Sequence, residues 1–324
     1  PTYSGNSFSG NTYPAIAIEG TTHRNGSLPN VPGQGGVILP YVLKANYTIG
    51  KGYTLSLPVE TVVKSGGPAL NVNGTLDLQS MPNFPVVFTS LKDDSYGGNT
   101  DAAAPQLVNP PAPAREADSV ARVALGGDQG FQPAAPYASG PESMDATPQP
   151  GNWAGIAIYA SGNNVHDAII RYASFGVRLV NLTTSPISVT VERCTLENNQ
   201  NGVNFEARFN GGNISATIID NQIVRNGSGV RVQWDNTYLG LATPVIHNNN
   251  IMVNSIGVEN QQSPQTIDAT GNYWGHPSGP YHSTNPLGLG DRVSNYVLFN
   301  PFLSSPPFAT IASYAKNFLP VVNK

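Results

Sequence analysis

Charged residues and cysteine are scarce in this sequence. Only 11% of its 324 residues are Asp, Glu, Lys or Arg, against about 25% in an ordinary soluble domain. The 20 acids and 16 bases are spread without blocks, so we expect no nucleic-acid partner and no binding to an anionic membrane surface. The single cysteine, Cys194, excludes a disulfide framework within the chain and a Cys-based zinc or iron–sulfur site.

Long apolar runs are also missing. No stretch approaches the roughly 18 apolar residues of a membrane-spanning helix, and helical periodicity is essentially absent before the C-terminal tail. The chain starts at Pro1 and is rich in polar uncharged side chains. We therefore expect a mature or trimmed segment of an extracellular or cell-surface protein without a membrane span.

A repeated pattern, [N/C]-x-[I/L]-x-x-N-x-x-G-V, dominates the second half of the chain. Leu196, Ile223 and Ile251 occupy its apolar position at spacings of 27 and 28 residues, which indicates one coil of a solenoid per repeat. The Asn positions of the repeat are Asn221 and Asn249, aligned with Cys194, and Asn199, Asn226 and Asn254; a weaker copy near the N-terminus contains Asn11.

Stacked coils give these Asn residues a structural role. Strands of successive coils lie about 4.8 Å apart, so identical Asn side chains can form a hydrogen-bonded ladder at a turn. Asn and Gly also tolerate the left-handed backbone that such a corner needs. Cys194 is then expected to be a small buried corner residue and not a nucleophile.

The segment NYWGHPSGP at residues 272–280, with the Asn-Pro and Phe-Asn-Pro-Phe runs after it, resembles the closing segment of right-handed parallel β-helix proteins of the pectin-lyase-like superfamily. The likeness is to secreted bacterial and archaeal surface members in particular, and residues 53–94 are similar to the N-terminal half of such proteins. The resemblance implies an all-β, right-handed parallel β-helix, or β-solenoid. It leaves function open, because this superfamily includes lyases, hydrolases, epimerases, adhesins and inert stalks.

One stretch interrupts the solenoid pattern. Residues 101–150 contain nine Pro and twelve Ala without alternation, which indicates a long loop leaving the solenoid. We expect one continuous solenoid with N-terminal coils over 1–100, this Pro/Ala-rich insertion over 101–150, and C-terminal coils over 151–303. The apolar tail over 304–324 is expected to cap the last coil or to join another chain.

The acidic residues before the insertion support two alternative site hypotheses. Asp93, Asp94 and Asp101 are weak catalytic candidates, since hydrolases of this fold use paired carboxylates. In polygalacturonase-type hydrolases, however, an Asn-Thr-Asp element precedes the Asp-Asp pair, whereas here Asn-Thr-Asp at 99–101 follows Asp-Asp at 93–94. Asp93, Asp94, Asn99 and Asp101 together offer oxygen ligands on a Gly-containing turn, so calcium is a possible ligand. A solvated turn is the structural alternative, and no cofactor is required.

Aromatic residues and sequons suggest contacts with sugars. Trp153, Tyr273 and Trp274 are candidates for stacking on an extracellular polysaccharide, although such rings also pack against a solenoid end. Possible N-glycosylation sites, in which an Asn precedes x-Ser or x-Thr, are Asn25, Asn46, Asn73, Asn181 and Asn213. Asn226 also begins a sequon and is the least suitable acceptor because of its ladder position.

The function predicted from these features is structural and non-enzymatic. A solenoid has two end coils that must be capped or paired, and head-to-tail pairing of such ends produces an open filament. We expect a subunit of a cell-surface stalk or filament that self-associates head to tail through its end coils and C-terminal tail. The alternatives are a polysaccharide lyase or hydrolase of the pectin-lyase-like type and a carbohydrate-binding adhesin.

Overall fold

The described chain is a parallel β-solenoid of about eight turns, as the repeat predicted. A computed structural model describes residues 14–33, 37–100, 147–234, 240–262 and 265–308, and all regular structure in these ranges is β-strand. The strands are β1 Ile16–Thr22, β2 Gly26–Ser27, β3 Tyr41–Ile49, β4 Thr54–Leu57, β5 Val62–Ser65, β6 Ala69–Val72, β7 Thr75–Leu78, β8 Val86–Ser90, β9 Trp153–Ile158, β10 Asn163–His166, β11 Ala168–Arg171, β12 Ala173–Asn181, β13 Ile187–Glu192, β14 Thr195–Glu197, β15 Asn201–Ala207, β16 Ile214–Ile219, β17 Gln222–Val224, β18 Ser228–Val232, β19 Ala242–His247, β20 Asn250–Met252, β21 Ile256–Asn260, β22 Ile267–Asp268, β23 Pro280–Tyr281, β24 Gly290–Arg292 and β25 Val297–Leu298.

Each full coil contributes one strand to each of three sides. Side A contains β5, β8, β11, β14, β17 and β20, and side B contains β6, β9, β12, β15, β18 and β21. Side C contains β2, β4 and β7, followed by β10, β13, β16, β19, β22 and β25. The long strand β3 joins sides A and B, because its first half pairs with β5 and its second half with β6.

The core runs along the inside of the coils as stacked columns of apolar side chains. Leu196, Ile223 and Ile251 pair in register through β14, β17 and β20 and are 0% exposed. Burying an Ile or Leu side chain of this kind stabilises the fold by about 1.5–3 kcal/mol. The regular spacing in sequence is therefore the spacing at which equivalent side chains meet inside the solenoid.

The left-handed backbone at the corners falls on the residue before each ladder position, not on the ladder Asn itself. Asn198 precedes Asn199 with φ of 54°, and Asn248 precedes Asn249 with φ of 55°. Val253 has φ of 62° at the corresponding place before Asn254. A β-branched residue in this conformation is an outlier, so this corner holds local strain.

The predicted insertion lies between β8 and β9, and its residues 101–146 lie outside the described ranges. The segment 91–100 before it folds back over the outer surface of side A, where Tyr96 packs with Val62, Val87 and Ile169. This small apolar cluster is separate from the main core. The segment that leads into residue 101 is therefore itself attached to the outside of the sheet.

The C-terminal cap, which we define as residues 272–303, closes the last coil. Trp274 is 0% exposed and packs beside Gly257, where an added Cβ would lie 3.1 Å from its ring. A Cβ on Gly290 would lie 2.3 Å from the carbonyl oxygen of Trp274, so this close approach requires glycine. Among the described residues, no helix has the length and apolarity needed to cross a membrane.

Candidate functional site

A first Asn ladder stands at the corner between sides C and A. The backbone N–H of Cys194 donates to Oδ1 of Asn221 at 2.9 Å, that of Asn221 to Oδ1 of Asn249 at 2.8 Å, and that of Asn249 to Oδ1 of Asn272 at 2.9 Å. Each amide nitrogen also donates to a carbonyl of the preceding coil, as Asn221 does to Val191 at 2.9 Å. The ladder thus satisfies backbone groups that the corner removes from the sheets.

A second ladder stands at the corner between sides A and B. The N–H of Asn199 donates to Oδ1 of Asn226 at 3.0 Å, and that of Asn226 to Oδ1 of Asn254 at 2.8 Å. The last member is a carboxylate: Oδ2 of Asp291 accepts from the backbone N–H of Asn254 at 3.0 Å and from its Nδ2 at 2.7 Å. Burial of this carboxyl raises the pKa of Asp291 to about 6.

Sequence reasoning missed the terminal members of both ladders. Asn272 follows Asn249 by 23 residues and Asp291 follows Asn254 by 37, so neither fits the spacing of 27 to 28. An Asp at an Asn position also lies outside the repeat pattern. The predicted ladder member Asn11 lies outside the described residues.

Cys194 stands at the start of the first ladder, in the position that Asn221 and Asn249 occupy in the following coils. Its Sγ lies 3.4 Å from the carbonyl oxygen of Val165, where an Asn would place its Nδ2. Burial raises the pKa of this thiol to about 12. A protonated, buried thiol is a poor nucleophile, which agrees with a packing role for Cys194.

The acidic segment before the insertion contains one buried carboxylate and one exposed carboxylate. Asp93 is 3% exposed and accepts from the hydroxyl of Thr89 at 2.5 Å and from the backbone N–H and hydroxyl of Ser95. Its Oδ2 also lies 3.6 Å from Nε of Arg171. Asp94 is exposed, and Asp101 lies outside the described residues.

Arg171 connects this segment to side A. Its Nε lies 3.4 Å from a carboxylate oxygen of Glu197, and its guanidinium lies over the rings of Tyr172 and Tyr96 at 4.6 and 5.7 Å. Asp93 therefore faces a buried cation on one side. In the described part of the chain, no group of three or more His, Cys, Asp or Glu residues is placed to hold a metal ion, and calcium stays a prediction.

Side B carries a second charged cluster on its outer surface. Glu206, 4% exposed, accepts from Arg178 through Nε at 2.6 Å and Nη2 at 2.7 Å, and from Nδ2 of Asn204 at 3.0 Å. Arg208 lies 2.5 Å from the same carboxylate. Arg178 is in β12 and Glu206 in β15 of the next coil, so this ion pair ties one coil to the next, whereas Arg208 pairs with Glu206 within one coil.

Two of the predicted sugar-stacking residues are in the core, which corrects their assignment. Trp153 is 2% exposed and donates from Nε1 to the carbonyl of Arg171 at 2.9 Å, and Trp274 is 0% exposed. Neither ring face is available to a sugar. Tyr273 is partly exposed, so its role in stacking stays a prediction.

The sequons differ in accessibility. Asn181 is 1% exposed and donates its Nδ2 to the carbonyls of Ser185 and Asn213, so the nitrogen that would carry a glycan is already used. This corrects the prediction for Asn181. The exposed sequon residues are Asn25, Asn46, Asn73 and Asn213.

The last coil has the most conspicuous exposed apolar surface. Five of the twelve exposed large hydrophobic side chains of the described residues lie within residues 281–298. Leu287 is 83% exposed, Leu289 73% and Leu298 55%, and Tyr281 and Tyr296 are each exposed by nearly half. Several large exposed apolar side chains within one short segment favour an interaction surface there. We refer to these five residues as the cap surface.

Comparisons of the chain with protein-family models, with curated proteins and with solved structures find no match. The solenoid and its clusters are therefore interpreted from their own geometry.

Proposed function

We propose that this chain is a non-enzymatic structural subunit, a rigid β-solenoid that forms part of an extracellular stalk or filament. The observation that carries the proposal is the cap surface, which places exposed apolar side chains at one end of the solenoid. An end-to-end contact made there is heterologous, and such contacts produce open filaments when the rotation between subunits does not close. The partner is a second copy of this chain.

The construction of the solenoid supports a mechanical role. Two Asn ladders run along its corners, and the outward charges of side B pair between coils. Both features hold neighbouring coils in fixed register. A solenoid in which each coil is hydrogen-bonded to the next resists bending and serves well as a spacer.

Two further elements belong to the proposal. The C-terminal tail, residues 304–324, is expected to take part in the contact, since it follows the cap directly and is apolar. The resemblance of the closing segment to secreted surface members of the pectin-lyase-like superfamily supports an extracellular location.

The decisive experiment measures assembly. Multi-angle light scattering and negative-stain electron microscopy of the wild type are expected to show concentration-dependent particles longer than one solenoid. The double variant Leu287→Ser/Leu289→Ser is expected to be monomeric, because it removes the two most exposed apolar side chains of the cap surface.

A control is Leu182→Ser, which makes the same change at an exposed leucine, 53%, in a lateral loop. This variant should assemble like the wild type. A wild type that stays monomeric at high concentration, or assembly that is equally weakened by the lateral change, contradicts the proposal. Deletion of residues 304–324 tests the tail separately.

A further inference from the structure

Asp291 occupies the place of an amide at the end of the second ladder. Asn199, Asn226 and Asn254 each donate Nδ2 to a carbonyl of the preceding coil, those of Ile170, Leu196 and Ile223. The carbonyl of Ile251 is the next in this series. An ionised carboxylate at position 291 cannot donate a hydrogen bond to that carbonyl. A protonated carboxyl has one O–H and can donate as the Asn side-chain amide does in the other coils.

We infer that protonation of Asp291 tightens the C-terminal cap, so that the cap is held more firmly in mildly acidic than in neutral solution. The carboxyl is in β24 of the cap and contacts Asn254 of the preceding coil. It is therefore a direct link between the cap and the body of the solenoid.

Within the described ranges, no charged group pairs with the carboxylate of Asp291. Asn254 and the backbone N–H of Val253 donate to the carboxylate. A Cβ added to Gly257 would lie 3.0 Å from the Cβ of Asp291, so the two residues are in close contact. The adjacent Arg292 lies over the ring of Tyr281 instead. On the neighbouring strand β21, Glu259 pairs with Arg231 at 3.3 Å. Trp274 lies beside the same Gly257, and among the residues that the structure describes its buried ring nitrogen has no hydrogen-bond partner.

The sign of the effect follows from proton linkage. Burial raises the pKa of Asp291 from an ordinary 3.8 to about 6, so the folded cap binds the proton more tightly than the unfolded chain does. Stability of the cap therefore falls as pH rises from about 4 to about 6 and stays at its lower value above that range. The cap also contains His276 and His282, so variants must assign the effect to Asp291.

The test is hydrogen–deuterium exchange of the wild-type chain at about pH 5 and about pH 8, corrected for the intrinsic pH dependence of exchange. We expect peptides covering residues 250–258 and 286–298 to be about tenfold better protected at the lower pH. The variant Asp291→Asn should show the higher protection at both pH values. The control Asp220→Asn, the same change at an exterior corner where the Asp accepts from Asn248, should keep the wild-type step.

Two results overturn the inference: equal protection of the cap at both pH values in the wild type, or a step that persists in Asp291→Asn. Should that variant fold poorly, carbon NMR of wild-type protein labelled at Asp Cγ decides instead. One carboxyl must titrate near pH 6, and titration of every Asp below about pH 5 refutes the idea.

A consequence for assembly rests on the proposed function. Leu289 is adjacent to β24, and its N–H donates to the hydroxyl of Ser278 within the cap, so a firmer cap presents the cap surface in a more fixed form. Light scattering at the same two pH values separates the ideas. A protection step in a chain that stays monomeric supports the role of Asp291 and contradicts the filament, while filaments without any protection step do the reverse.

Discussion

Asn226 is the position at which the ladder can be tested most directly. Its side chain, 3% exposed, accepts from the backbone N–H and Nδ2 of Asn199 and donates to the carbonyl of Leu196 and to Oδ1 of Asn254. Replacing it by alanine leaves the backbone N–H of Asn199 buried without a partner. It also removes one hydrogen bond from the carbonyl of Leu196, which keeps its sheet pairing with β17.

The magnitude follows from the orphaned N–H and the lost side-chain hydrogen bonds. A buried donor left unsatisfied destabilises a protein by about 1–3 kcal/mol and a lost hydrogen bond by about 1 kcal/mol, so Asn226→Ala should lower the free energy of unfolding by about 2–4 kcal/mol. The two ladder contacts between side chains are lost as well. Relaxation of the corner, which would let water reach the backbone N–H of Asn199, decides where in this range the value falls.

The assay is urea unfolding followed by far-UV circular dichroism, with hydrogen exchange to locate the loss. Exchange should accelerate most in the coils containing Asn199, Asn226 and Asn254, since each coil depends on its neighbours. The control is Asn164→Ala, which removes an exposed Asn whose side chain donates to Glu192 at 2.9 Å and should change stability by less than about 0.5 kcal/mol. Equal effects of the two substitutions would refute the structural role of the ladder.

Three further outcomes are expected. Val253→Asn should raise the free energy of unfolding by about 1 kcal/mol and with it the urea midpoint. Asn tolerates the left-handed backbone, as Asn198 does at the equivalent corner. An unchanged or lower midpoint contradicts the inferred strain at Val253. Iodoacetamide at neutral pH should leave Cys194 unmodified in the native protein and alkylate it in urea, since burial raises its thiol pKa to about 12; rapid native labelling would show that the corner opens. Glu206→Ala should destabilise the chain by about 2 kcal/mol, because two guanidinium groups lose a buried partner, whereas Glu259→Ala, whose ion pair is more exposed, should lose only about 0.5 kcal/mol by the same measurement.

Contacts between side chains of neighbouring coils depend on strand register, which is known only once the fold is known. Arg178 and Glu206 are 28 residues apart and meet because β12 and β15 are paired in neighbouring coils. Trp153 and Trp274 belong to types that stack on sugars, yet their places in the solenoid put both in the core. Residue type alone therefore gave no guide to their exposure.

The sequence by itself determined the coil. Apolar residues recurring at 27 and 28 residues predict stacked strands, because equivalent side chains must meet inside the solenoid, and the Pro/Ala-rich stretch predicts where the pattern is interrupted. Only the tertiary structure decided how the ladders end, since Asn272 and Asp291 reach their places through a closing segment with different spacing. The tertiary structure also decided which charges are paired and which apolar side chains stay exposed on the last coil. Contacts between coils depend on distances in space, and no local sequence pattern contains those distances.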